Sequence, residues 1–201
     1  MSDDVFTLLQ HIADETWQAT RDIGLLPWSC IAAGHIAQQA ARYFGLPGHL
    51  QPVQALVANT AAIELIVAQV PPEQWPEEAW SVGTSGESRP ERYPGHIVLT
   101  FPHASGTVIL DPSLPQFTRP RLGVLLSPLV AVQPRMWPDG ATRAVFERPG
   151  GAVSYEPYQD GGLYRTSPDW INRKVRYHRL VGRVVRNAKN GALKPTTDRM
   201  R

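Results

Sequence analysis

The sequence predicts an α+β fold in which helices pack on an antiparallel sheet. Three observations carry this reading. Two early segments repeat apolar residues at helical spacing, and the middle of the chain alternates short apolar runs with turn residues. The 19 prolines and 16 glycines in 201 residues are too many for a helical bundle. With 42% apolar and 19% charged residues the composition is that of a folded domain and excludes a fully disordered chain. The length suits roughly one domain with a core of useful size.

The elements follow in order. Val5, Leu8, Leu9, Ile12 and Ala19 form one stripe of a helix over residues 3–23, opened by Ser2 or Asp3 and stopped by Gly24. Leu25 to Trp28 is an apolar loop. Ser29 then caps a second helix, Cys30 to Phe44, ended by Gly45. Its alanines (Ala32, Ala33, Ala37, Ala40, Ala41) allow close packing. Pro52 to Ala58 reads as a strand, and Thr60 to Val70 fits either helix or strand. Pro71 to Pro94, rich in Pro, Glu, Gly and Ser, predicts a long surface excursion. His96–Phe101 and Thr107–Leu110 are strands joined by a turn at Pro102–Gly106. Leu129–Val132 and Ala144–Glu147 are further strands. Val153–Tyr155 and Leu163–Arg165 flank Asp160-Gly161-Gly162 and predict another hairpin. Ser167-Pro168-Asp169 opens a last helix running to about Arg186. Residues 1–186 thus form a single domain, and 187–201 are expected to be a disordered basic tail.

No run of about 18 apolar residues exists, so no membrane span is expected. The acidic first residues do not resemble a secretory leader, and cytoplasmic residence is the expectation. A single cysteine, Cys30, excludes an intramolecular disulfide and a multi-thiolate metal site. No Gly-rich phosphate loop is present, which argues against a nucleotide enzyme, and no cofactor is expected. His11 and His49 form no metal-ligand spacing, His103 falls in a predicted turn, and His35 reads as structural.

The pattern that carries chemistry is Cys30, His96 and Asp111. A cysteine in the first turn of a helix meets partial positive charge, which favours the thiolate needed for attack on a carbonyl. His96 opens a strand directly after Pro94-Gly95, and Asp111 ends the next strand of the same hairpin. Antiparallel pairing brings these ends together, so Asp111 is expected to accept the His96 Nδ1 proton and fix the ring's tautomer. A lone cysteine also reads as a small buried hydrophobe, and a His followed by an Asp as coincidence.

This order resembles the transglutaminase-like and arylamine N-acetyltransferase-like branch of the papain-like cysteine enzymes. The resembling pieces are Trp28-Ser29-Cys30, Gly95 to Leu99 and Ile109 to Phe117. Within the last, Asp111-Pro112-Ser113-Leu114-Pro115-Gln116-Phe117 is similar to an Asp-x-Thr-x-x-Gln-Phe turn of some members. The likeness covers roughly residues 25–120 by element order. It implies a papain-like core with the catalytic helix on an antiparallel sheet, Cys30 as nucleophile, His96 as base and Asp111 as orienting acid. The chain departs from the pattern in its long insertion between Cys30 and His96. It also lacks an identifiable upstream side chain for the oxyanion hole, where the Cys30 N–H supplies one donor. Trp28 and Gln116 are further candidates for the substrate or oxyanion site. Trp28 also reads as core or cleft wall, and Gln116 as a cap on the loop after Asp111.

Charge is unevenly spread. Residues 1–170 carry a net charge of −7 and residues 171–201 one of +9. Arg173, Lys174, Arg176, Arg179, Arg183 and Arg186 lie on the last helix, interleaved with Ile171, Val175, Val181, Val184 and Val185. Ile171, Val175 and Val185 are expected on one broad face, widened by Val181 and Val184, that packs on the body. The rival reading is a site for nucleic acid or another polyanion. The function expected is a cysteine peptidase or amidase working through an acyl-thioester on Cys30, with a peptide or amide substrate, free or within a protein. Acyl transfer to an amine or deamidation is the in-class rival. A non-enzymatic module whose basic helix recruits an anionic partner is the rival from another class.

Overall fold

In a computed structural model, the residues described are 1–25, 30–84, 93–133, 143–158 and 162–192. The first apolar stripe folds as α1 (Asp3–Asp22), with Leu9, Ile12 and Ala19 buried. Ser2 is its N-cap by backbone conformation, without a side-chain capping bond. Gly24, at φ +68°, turns the chain away. The alanine-rich segment forms α2 (Cys30–Tyr43), buried along nearly its whole length. A Cβ on its Gly34 would stand 3.0 Å from Ile97 Cγ2 and 3.1 Å from Leu50 Cδ2, so small residues let α2 sit directly on the sheet.

The sheet begins with β1 (His49–Asn59), longer than the strand expected at 52–58. The ambiguous segment after it is a helix, α3 (Thr60–Val67), because Asn59 Oδ1 caps the Ala62 N–H at 3.0 Å. The surface excursion contains a 3₁₀ turn at Pro72–Gln74 and β2 (Ser81–Gly83). Then come β3 (His96–His103), β4 (Gly106–Asp111), β5 (Leu129–Gln133), β6 (Ala144–Arg148) and β7 (Gly151–Pro157). The spatial order is β5-β4-β3-β1-β7-β6 with β2 also on β1, and every pairing is antiparallel.

One expected hairpin is replaced by another. β7 pairs with β6 and β1, and residues 163–166 form a 3₁₀ turn instead of a strand. The tight turn lies at Gly150, whose φ of +80° and closeness to the Gly123 carbonyl leave no room for a side chain. Asp160 and Gly161 lie outside the described residues.

Strand alternation divides the core in two. Leu99, Phe101, Val108 and Leu110 face the helices and pack with Leu9, Ile12 and Ile36. Val53, Val98, Ile109, Val153 and Tyr155 face the other way, against Leu114, Phe117, Val124 and Leu129.

The last helical segment breaks at Asn172 into α4 (Pro168–Ile171) and α5 (Arg173–Ala192). Ser167 Oγ accepts the Asp169 N–H and caps α4. The face expected to pack is corrected by this break. Ile171 and Val175 are 63% and 84% exposed, while Tyr177, Val184, Val185 and Ala188 are buried against α1 and α2. Val175 precedes Tyr177 by two residues, about 200° around the helix, and so faces away from the core. The tail is corrected too: residues 187–192 continue α5, held by the buried Ala188 and by Asn187 Nδ2 donating to Glu15 Oε2 at 2.7 Å. Residues 193–201 lie outside the described residues. No helix among the described residues is long and apolar enough to cross a membrane.

Candidate active site

The register of the central hairpin builds the site. Leu99 stands opposite Leu110, so one step further along the ladder Asp111 faces Val98, two residues from His96. Side chains so related share a face and lie diagonally within reach of each other. His96 Nε2 and Asp111 Oδ2 are 2.8 Å apart, with the residues 1% and 0% exposed. The expected pair forms, but through the other ring nitrogen. Nε2, not Nδ1, takes the carboxylate.

Cys30 is the first residue of α2, at the positive end of the helix. It packs with Ile31, Ile97 and Tyr164, flanked by Leu50, Tyr93 and Trp170. Its side chain acts on the His96 ring, helping to raise the ring's pKa. The thiol of a helix start, the imidazole of β3 and the carboxylate of β4 thus form one connected line.

Asp111 is fully bonded. Oδ2 also accepts the Tyr155 O–H at 2.7 Å, and Oδ1 accepts the N–H and O–H of Ser113, each at 3.0 Å. Tyr155 comes from β7, where it faces Ala55 on β1, on the same side of the sheet as His96. Its ring stacks on His96 at 6.3 Å and 12°, while Phe117 tilts against the imidazole at 5.7 Å. Burial alone raises the Asp111 pKa, but the His96 charge and the hydrogen bonds outweigh it and hold the carboxyl below its ordinary value. Burial lowers the His96 pKa, and Asp111, with a smaller contribution from Cys30, more than reverses this, bringing it up to about 10. Burial and the adjacent carboxylate push the Tyr155 phenol well up, so it stays a neutral donor.

The other expected residues are placed as follows. Trp28 and Ser29 lie outside the described residues. Gln116 sits in the 3₁₀ turn Leu114–Phe117, its N–H donating to Ser113 O at 3.1 Å. Of the basic residues, Arg176 pairs with Asp169 and Arg183 with Asp22. Arg179 and Arg186 are exposed, and Arg173 and Lys174 border a cavity beside α2. Sequence reasoning missed Tyr155, which gave no signal beyond a phenol in an apolar strand. It also missed the roles of Ser113, Tyr164 and Trp170. Ser113 was the findable one, since a serine two residues after an aspartate suits an Asx-type turn. Comparison with protein-family models, curated proteins and solved structures finds no match.

Proposed function

We propose that the chain is a cysteine hydrolase acting on an amide or ester through an acyl-thioester on Cys30, on a core of the papain-like kind. The observation that carries this reading is the connected line of Cys30, His96 and Asp111, with Asp111 saturated by Tyr155 and Ser113. A carboxylate held by four hydrogen bonds cannot swing, so it fixes the imidazole and stabilises its protonated form. A protonated ring beside the sulfur holds the proton that a leaving group needs.

The Cys30 sulfur bonds to the substrate carbonyl carbon, and the carbonyl oxygen gains the charge opposite the Cys30 N–H. The bond to the leaving nitrogen or oxygen breaks as His96 gives that atom its proton. Water then attacks the thioester and gives a proton to His96. The carboxylic acid departs as the carbon–sulfur bond breaks, leaving the sulfur anionic and the His96 ring protonated, as at the start.

The test is the time course of p-nitrophenyl acetate cleavage by the full chain. The reading expects a burst of about one p-nitrophenolate per chain followed by slower turnover, absent in Cys30→Ala. Hydroxylamine tests acyl transfer, because an enzyme built for amine acceptors would form acetohydroxamate faster than acetate. A folded chain without a Cys30-dependent burst or turnover contradicts the proposal.

A further inference from the structure

A cavity of about 710 Å³ opens between α2 and the start of α5. Its wall includes His35 and Arg42 from α2, Tyr164 and Trp170, and Arg173 and Lys174 from the start of α5. This volume is in the range that holds a small organic ligand. Leu50, Tyr164 and Trp170 line the cavity and also belong to, or pack against, the apolar cluster that contains Cys30.

The cavity is one of the places where the basic helix carries charge without an ion pair among the described residues. Further along α5, Arg176 and Arg183 are matched by Asp169 and Asp22. No acid stands among the described residues lining the cavity, and Arg42, Arg173 and Lys174 form no ion pair among the described residues. Arg173 is fixed in place: its guanidinium lies 3.8 Å over the Trp170 ring, and its Nη1 donates to the Trp170 carbonyl at 2.6 Å. His35, 6% exposed and edge-on to Trp170, has a buried Nδ1 without a hydrogen-bond partner among the described residues. Burial, and then the charges of Arg173 and Arg42, bring its pKa down to about 4. Arg173 and Arg42 thus set a positive field along this wall of the cavity. Guanidinium groups match carboxylate and phosphate oxygens in a forked geometry.

We propose that this cavity holds the anionic end, a carboxylate or a phosphate, of a small-molecule acyl donor whose carbonyl reaches Cys30 past Tyr164 and Trp170. The acyl-donor role rests on the function proposed above, whereas the anion site stands on its own residues.

Calorimetric titration of the full chain with pyrophosphate and with citrate tests this, and the tighter of the two identifies the preferred group. One saturable site is expected, weakening as salt rises. The double variant Arg42→Gln/Lys174→Gln, at exposed positions that leave the fold intact, should bind at least about tenfold more weakly. Arg179→Gln/Arg186→Gln, equally basic but away from the cavity, should bind like the parent chain. Anion at about ten times its Kd should slow iodoacetamide alkylation of Cys30 by about tenfold. Absence of saturable binding, or equal loss in both double variants, overturns the anion site. Binding that leaves alkylation unchanged overturns the acyl-donor role. Cys30→Ala should bind the anion normally, so that a chain without thiol chemistry but with a working anion site refutes only the enzymatic reading.

Discussion

Tyr155→Phe removes one oxygen from the centre of the site and little else. The phenol is fully buried, its O–H donates to Asp111 Oδ2 at 2.7 Å, and its ring stacks on His96, a contact phenylalanine keeps. A hydrogen bond to a charged acceptor contributes about 1.5–3 kcal/mol. Asp111 retains His96 and both Ser113 donors, so the loss is placed at about 2 kcal/mol near neutral pH. The sign with pH follows from the direction of the carboxyl's shift. Asp111 is held below its ordinary value of 3.8, partly by Tyr155. Its stabilising contribution is therefore present above that value and lost as pH falls through the folded-state pKa. The variant's deficit should be full at neutral pH and shrink as both chains acidify. Urea unfolding of parent and variant from pH 7 down to pH 3 measures this. A deficit below about 0.5 kcal/mol at pH 7 would refute the charged, Tyr155-bonded Asp111.

Asp111→Asn breaks the buried pair from the other side and should destabilise by about 3 kcal/mol in urea titrations, while lowering the alkylation rate of Cys30. The His96 imidazole has its pKa raised to about 10, so its contribution is full below about 6.5 and fades as pH rises toward 10. The parent chain should thus lose more stability between pH 7 and 10 than His96→Gln, measured by urea midpoints; equal losses would count against the protonated ring. On α5, Val184→Ala should cost about 2 kcal/mol, whereas Val175→Ala should stay within about 0.5 kcal/mol; thermal melting of the two variants separates the buried face from the exposed one.

How much of this was legible in the sequence depended on whether the cue was local. Cys30 as the first residue of a helix followed from Ser29 and the alanine run, and the His96–Asp111 pairing from two apolar runs with a short turn between them. Both rest on neighbours within about fifteen residues. Tyr155 was not legible, because it reaches Asp111 across β1 and β3, through a strand order no local signal encodes. The false hairpin at 153–165 arose from Asp160-Gly161-Gly162, a strong turn cue. The strand it served pairs instead with β6, across Gly150. The interleaved valines of the last helix misled for a similar reason. Asn172 interrupts the helix, and Tyr177, Val184 and Ala188 set the packed face instead of Ile171 and Val175.

The central claim is that His96 and Asp111 activate Cys30, and the rate of iodoacetamide alkylation of that single thiol tests it most directly. The same thiol in the urea-unfolded chain, at the same pH, is the internal reference. Although Cys30 is only 7% exposed, the account predicts that in the native chain it reacts at least about tenfold faster than in urea near pH 7. It also predicts that His96→Ala, still folded by circular dichroism, loses that advantage. A native thiol that reacts more slowly than the unfolded one, or a folded His96→Ala chain that reacts as fast as the parent, would contradict it.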